Sequence, residues 1–240
     1  MLGDMLPTVC AFCHRWPVWS TTGRVCTDCL GRFLHPEPAC PHCALPVSEG
    51  TSVCGACLLQ PPPLHHCVAA VPYAYPWNQA IAAFKFHGDT GWATALARIM
   101  WRHPATPALL QQAQVLLPVP LSASRWRERG YNQSLLLARP LRHQLMRHTP
   151  SCTPLLLTHG IDRLDTPRHQ TGMRRSQRLR HWDGAFTLTA AAMQHIHGQH
   201  VLLIDDVMTT GATLHALAQT CLHAGASRVC ALVFARTPAT

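Results

Sequence analysis

Two groups of residues in this sequence have the type and spacing to do chemistry. The first is a set of eight cysteines in four Cys-x-x-Cys pairs: Cys10/Cys13, Cys26/Cys29, Cys40/Cys43 and Cys54/Cys57. A Cys-x-x-Cys turn brings two thiolates to one side of a knuckle, and two knuckles complete a tetrahedral zinc site. Twelve residues separate the first two pairs and ten the last two, lengths that suit the hairpin of a zinc ribbon. Redox dithiols and secreted disulfide frameworks also use this motif. Redox motifs usually come singly, however, and Met1–Met5 lacks the basic-then-apolar plan of an export signal. Two structural Zn2+ are expected, with sequential pairing (first four Cys, then second four) preferred to an interleaved order. Four thiolates close each site, so the metal is assigned no catalysis. His14, His35, His42, His65 and His66 are surplus to these ligands and read as surface residues. Trp16 and Trp19 have two readings, a stacking surface for nucleic-acid bases or the core of a small ribbon.

The second group is Val201-Leu202-Leu203-Ile204-Asp205-Asp206-Val207-Met208-Thr209-Thr210-Gly211-Ala212-Thr213. An apolar strand ends in two adjacent carboxylates, and a Thr/Gly loop then opens into a helix. The first backbone N–H groups of that helix, with the hydroxyls of Thr209, Thr210 and Thr213, make a cradle for a phosphate. Gly211 permits close approach of backbone to anion. Two carboxylates would repel the phosphate itself, so they suit neighbouring hydroxyls, as on a ribose. The loop is neither a Walker loop nor a Gly-x-Gly-x-x-Gly turn.

These residues need a scaffold, and the apolar pattern supplies one. Strands are expected at Val115–Val119, Thr153–Leu157, Gly184–Leu188, Val201–Ile204 and Arg228–Ala235. Helices are expected at Trp77–Phe86, Trp92–Trp101, Asn132–Met146 and Ala212–His223, the last closed by Gly225. Their alternation implies an α/β domain with a mostly parallel sheet, whose ligands gather beyond the carboxyl ends of the strands. A double zinc ribbon over residues 1–62 precedes it. Pro61-Pro62-Pro63 is a stiff linker, and the second domain spans 63–240 with its core at about 113–236.

With 48% apolar residues, 13% charged residues and no run of eighteen apolar positions, a cytoplasmic chain without membrane insertion is expected. The net charge of +9 is concentrated between residues 125 and 180, which hold twelve Arg against three acids. Arg presents a planar fork suited to phosphate, so this stretch fits an anionic ligand or nucleic acid. Arg preference over Lys also follows from genomic composition. Lys85 is the single Lys, either a compact charge for a phosphate or a surface cation.

The run Ile204–Thr213 resembles the loop that binds 5-phosphoribosyl 1-pyrophosphate (PRPP) in type I phosphoribosyltransferases. The whole chain resembles the ComF/GntX family, which joins a double zinc ribbon to that fold, a mostly parallel sheet with flanking helices. Further matching residues are Lys85-Phe86-x-Gly88, Pro118-Val119-Pro120-Leu121, Arg127-x-Arg129-Gly130-Tyr131-Asn132-Gln133, Arg163, Thr166, Gln170, Arg178 and Gly184-Ala185-Phe186. His181 departs from the pattern, which has Asn there.

The resemblance implies that Asp205 and Asp206 hold the ribose hydroxyls and are the catalytic carboxylates, within a PRPP site running through Val207, Met208, Thr209, Thr210, Gly211, Ala212 and Thr213. It places pyrophosphate and Mg2+ near Pro120–Ser124, with Lys85, Leu121, Ser122, Arg127, Arg129, Arg163 and Arg178 as candidate contacts. The implied function is phosphoribosyl transfer to an unidentified base or related nucleophile, linked to competence and DNA utilisation. The alternative is a catalytically silent PRPP-fold protein contacting single-stranded DNA or a DNA-uptake partner of helicase type. Gly160 to Arg180, with six Arg and few apolar residues, is expected to be a mobile hood.

Overall fold

The structure is a computed structural model that describes residues 7–19, 23–164 and 185–238. Its N-terminal region repeats one local plan at an interval of thirty residues. The N–H of Cys10 donates to the Arg15 carbonyl and that of His14 to Cys10; Cys40 donates to Leu45 and Ala44 to Cys40. To close this knuckle, the residue after the second cysteine turns left-handed: His14 at φ 58° and Ala44 at φ 56°. Such a conformation costs about 1–2 kcal/mol for a non-glycine residue, which convergence of the thiolates on one metal offsets.

The second pair in each half opens a short helix instead of a strand. Cys26 caps α1 (Thr27–Phe33), its sulfur accepting from the Cys29 N–H, and Cys54 precedes α2 (Gly55–Leu59). The expected ribbon hairpins shrink to single antiparallel bridges, Thr8 with Val18 and Ala39 with Pro46.

The thiols converge as two zinc-binding four-cysteine sites, Cys10/Cys13/Cys26/Cys29 and Cys40/Cys43/Cys54/Cys57, with all ligand atoms of each set within 4.8 Å of one another. Sulfur separations of 3.8 Å for Cys10–Cys29, 3.7 Å for Cys13–Cys26 and 3.6 Å for Cys43–Cys54 match the edge, about 3.8 Å, of a tetrahedron with Zn–S bonds near 2.3 Å. The sequential pairing holds. Burial raises the Cys10 thiol, but backbone N–H groups of Cys13, Cys26 and Phe12 outweigh it and bring Cys10 down to about 6. Cys40 is likewise lowered to about 6 against its burial by the N–H groups of Cys54, His42 and Cys43. One thiol per site is thus prepared as a thiolate.

Among the described residues, seven strands and seven further helices follow. They are β1 (His66–Pro72), α3 (Trp77–Phe86), α4 (Trp92–Arg102), α5 (Thr106–Gln112), β2 (Val115–Pro118), α6 (Ala123–Arg129) and α7 (Gln133–His148). Then come β3 (Leu155–Leu156), β4 (Ile161–Arg163), β5 (Phe186–Leu188), α8 (Ala190–Ile196), β6 (His200–Met208), α9 (Ala212–His223) and β7 (Arg228–Arg236). Five strands form one all-parallel sheet in the order β1-β7-β6-β2-β3, and β4 pairs antiparallel with β5. Parallel strands covered on both faces read as unbroken apolar runs, as Val201–Ile204 does.

Alternation along β6 divides the core. Leu202 and Ile204 join residues of α3, α4 and α7 on one face, while Val201 and Leu203 join those of α8 and α9 on the other. The two zinc halves follow the same division, Cys10 and Cys29 in the first cluster, Cys40 and Cys57 in the second. Phe12 packs edge-on against Trp77 at 5.2 Å, the Trp77 Nε1 donates to the Phe33 carbonyl at 3.0 Å, and Arg24 pairs with Asp89 at 2.5 Å. Trp16 and Trp19 are 64% and 66% exposed, so they are not the core of the ribbon; Phe12, Val18 and Val25 fill that role. Among the described residues, no helix is long and apolar enough to cross a membrane.

Since each four-cysteine set draws only on its own knuckles, Cys10→Ser should lower the zinc content from two ions per chain to one. Elemental analysis of the purified variant checks this, and loss of both ions would contradict independent sites.

Candidate functional site

The order β1-β7-β6-β2-β3 has one reversal. From β2 the chain moves outward to β3, and from β6 it moves the opposite way to β7. The loops leaving β2 and β6 therefore diverge and open a crevice at the carboxyl ends of these neighbouring strands, where open α/β sheets bind ligands. Asp205, Asp206 and the Thr/Gly loop leave β6 on one side of it, and Pro120–Ser124 leave β2 on the other.

Both carboxylates are held from several directions. Asp205 Oδ1 accepts from Ser134 Oγ at 2.8 Å and from the Asp206 N–H at 2.9 Å. Asp206 accepts from the Val207 N–H at 2.8 Å and forms an ion pair with Lys85 Nζ at 2.9 Å. The Asp206 side chain is only 7% exposed, so Lys85 supplies the charge that burial of that carboxylate requires. Burial, and then the charge of Asp206, raise the Asp205 carboxyl to about 7, although Lys85, Ser134 and the Asp206 N–H act in the opposite direction. The site thus places one carboxyl close to neutrality beside a second carboxyl paired with a cation, an asymmetry often found where charge develops during a reaction.

Gly211 enters α9 at φ 83° and has no substitute there. A Cβ would lie 2.5 Å from Met208 Cε and 2.9 Å from His215 Nε2. Beyond it α9 runs twelve residues with its amino end at the loop, and Thr210 Oγ1 accepts from the Ala212 N–H at 3.4 Å. Thr209 and Thr210 are exposed at the mouth of the crevice.

The Arg127–Gln133 motif acts mainly as a clip. Gly130 closes α6 in the left-handed conformation, its N–H donating to Trp126. The Tyr131 hydroxyl donates to the Phe84 carbonyl, holding the end of α3 that carries Lys85. Asn132 caps α7 by accepting from the Leu135 N–H at 3.1 Å, and its amide donates to the Val119 carbonyl at 3.0 Å, fixing the loop after β2. The two Arg of the motif have local partners. Arg127 Nε donates to Ala123 of its own helix, and Arg129 lies over the Phe86 ring at 5.7 Å. Burial lowers the Arg129 guanidinium, with Asp206 opposing that shift.

Arg163 is brought in. It stands at the end of β4, its backbone bridges Ser122, and Nη2 donates to Thr213 Oγ1 at 3.4 Å. The expected mobile hood therefore begins as a paired strand, because Ile161, Asp162 and Arg163 have Leu188, Thr187 and Phe186 as ladder partners. Leu121 is half-buried and Ser122 buried, its hydroxyl 3.0 Å from that of Ser124. Arg178, Thr166, Gln170, His181 and most of the segment from 160 to 180 lie outside the described residues.

Sequence reasoning missed two residues. Ser134 is the second residue of α7, with nothing in the sequence to mark it. Arg236 does carry a signal, a lone charge closing the apolar run of β7. It is 5% exposed and bonds the carbonyls of Met208 and Thr209 from behind the loop.

The fold defines a class: a mostly parallel five-stranded sheet with flanking helices, fused to a double zinc ribbon with two four-cysteine sites. Residues 1–58 match the double zinc ribbon domain family. The chain is 31% identical to DNA utilization protein YhgH of Escherichia coli (strain K12), over 97% of its own length and 98% of that protein. Competence protein F of Haemophilus influenzae is 29% identical over 81% of this chain and 82% of its own. For competence protein ComFC of Bacillus subtilis the values are 28%, 84% and 79%. The chain belongs to the ComF family.

A carboxyl raised in the folded state binds its proton more tightly there than in the unfolded chain. Its stabilising contribution is complete below the unfolded value of 3.8 and is lost as pH rises through about 7. Asp205→Asn removes that loss. Urea unfolding of variant and parent should show the variant gaining relative stability between about pH 4 and about pH 7 and levelling off above that; a constant difference would mean that Asp205 titrates normally.

Proposed function

We propose that this chain binds PRPP at the crevice between β2 and β6 and transfers its ribose 5-phosphate to a base or related nucleophile. The observation that carries this reading is the junction at β6: two held carboxylates, followed directly by a left-handed Gly211 and the amino end of α9. Thr209–Thr213 take the 5′-phosphate through N–H and hydroxyl donors. Asp205 and Asp206 accept from the ribose hydroxyls. Pro120–Ser124 and Arg163 face the pyrophosphate.

In the transfer, the bond from C1 to the pyrophosphate oxygen breaks and its electron pair leaves with pyrophosphate. A lone pair of the nucleophile forms the new bond to C1, and the nucleophile gives up its proton. Positive charge develops on the ribose as pyrophosphate departs, and the carboxylates stabilise it. Ser134 and Lys85 fix both carboxylates before substrate arrives, which limits reorganisation during the reaction. Mg2+ would be held with pyrophosphate beside Pro120–Ser124, since Asp205 and Asp206 already accept from Ser134, Lys85 and backbone N–H groups. When bound, it neutralises the leaving group.

A second reading, contact with single-stranded DNA, is favoured by a different observation. An open cleft of about 660 Å³ runs between α4 and α7. Arg98, Trp101, Arg102, Arg147 and His148 line it, with Trp19 of the first zinc half at its rim. Neither helix contains an Asp or Glu, and Trp101 stacks on His148 at 5.1 Å. Aromatic faces interleaved with Arg are the chemistry of single-strand binding. The names of the relatives, a DNA utilization protein and two competence proteins, agree with such a contact.

The two readings separate experimentally. Asp205→Asn combined with Asp206→Asn should abolish calorimetric binding of PRPP with Mg2+ while leaving the melting transition in place; unchanged affinity would sink the ribose role. Arg98→Glu with Arg147→Glu should weaken binding of an oligothymidylate about tenfold or more in fluorescence anisotropy and flatten its salt dependence, with PRPP affinity unaltered. Oligonucleotide binding indifferent to these charges would exclude the cleft.

A further inference from the structure

Arg236 closes β7, a strand that is apolar from Val229 to Ala235 and in which every residue from Ala231 onward is buried. Its guanidinium joins three segments that are distant in sequence. Nε donates to the Cys43 carbonyl at 2.8 Å, and Nη1 donates to the carbonyls of Met208 at 3.1 Å, Thr209, and Thr237 at 2.7 Å. Cys43 belongs to the second four-cysteine site, and Met208 and Thr209 open the phosphate loop. A second set of contacts joins the same places: the Cys67 N–H donates to the Pro41 carbonyl at 2.7 Å, and Cys67 Sγ lies 3.6 Å from Met208 Sδ. The first zinc half makes its contacts on the opposite face of the sheet, through Phe12 to Trp77 and Arg24 to Asp89.

Peptide planarity converts these bonds into a statement about the loop. In a trans peptide the carbonyl of one residue and the N–H of the next point in opposite directions. Holding the Met208 carbonyl toward Arg236 therefore turns the Thr209 N–H away from it, and holding the Thr209 carbonyl does the same for Thr210. These are the first donors of the cradle. The guanidinium in turn is oriented by the Cys43 carbonyl, whose position depends on closure of the second knuckle around its metal.

We propose that Arg236 is a positioning residue that couples the second zinc site, and not the first, to the conformation of the phosphate loop. Zinc on Cys40, Cys43, Cys54 and Cys57 fixes the Cys43 carbonyl, Arg236 transmits that position, and the N–H groups of Thr209 and Thr210 are presented outward. Loss of that zinc frees the loop while the sheet beneath it stays paired.

The test is 15N relaxation on the full-length, zinc-loaded protein without ligand, reading the backbone amides of Thr209, Thr210 and Gly211. In the parent these should have order parameters near about 0.85, and in Cys57→Ser they should fall below about 0.6. Cys13→Ser, which opens the first site, should leave them unchanged. Arg236→Lys retains the charge but loses the planar fork. It should mobilise the loop with both zinc ions still bound, and removal of the second zinc should then add nothing. Amides of β2 and α7 report whether each variant is folded. Should Cys57→Ser fail to fold, Arg236→Lys decides alone, and an ordered loop in it overturns the proposal. So does equal mobilisation by Cys13→Ser and Cys57→Ser. The assignment of the loop to PRPP rests on the reading above, but this measurement uses no ligand. Failure of PRPP to bind would overturn that reading and leave the coupling standing, and the converse holds equally.

Discussion

The structure depends on the position of β6 in the middle of its sheet. It is bonded to β7 along one edge and to β2 along the other, so its backbone is fixed up to the residue where the carboxylates begin. That constraint makes an Asp pair tolerable with Asp206 buried and Asp205 half-buried. The cost of desolvating Asp206 is met by Lys85 from α3, and the second carboxyl is raised toward neutrality. A strand free to shift would give these groups access to water and would dissolve the asymmetry between them. The same fixed end points α9 at the crevice, so the Thr/Gly loop and the carboxylates share one rigid support.

Around this strand the zinc ribbon is less an appendage than two inserts. Its halves repeat one knuckle, yet each joins the apolar cluster on a different face of the sheet. A region of this size buries too little surface to be stable alone, and it gains both from metal and from aromatic residues of its host. Phe12 between Trp77 and Trp92 is the clearest case, at 5.2 and 6.1 Å.

Much of this was legible beforehand where one local cause dominates. The bounds of α3 and α9 follow directly from apolar spacing and from Gly211 and Gly225. The four-cysteine sites follow from ligand geometry. Elements set by tertiary context were not legible. Strand β1 reads His-Cys-Val-Ala-Ala-Val-Pro, with no alternation, because its pairing with β7 decides its conformation. Helix α5 begins Thr-Pro and looks like a turn. The Thr153–Leu157 segment keeps only two residues as β3 because it is an edge strand with a single neighbour. β6 runs four residues beyond Ile204, because β7 continues to pair with it through Met208. The motif marks Asp205, Asp206 and the Thr/Gly loop in the sequence; the residues that hold them from other elements, Ser134 and Arg236, belong to the third dimension.

The pairing of β1 with β7 has a consequence for biosynthesis. The sheet places the strand made first beside the strand made last, at a separation of more than 150 residues. During translation, β1, β2 and β6 leave the ribosome before β7 exists, and the second zinc half waits for the guanidinium at residue 236. A chain that stops before residue 228 carries both carboxylates but leaves two parallel strands with unpaired apolar edges, the arrangement most prone to wrong association. The five-stranded sheet is therefore complete only when β7 arrives to join β1 to β6.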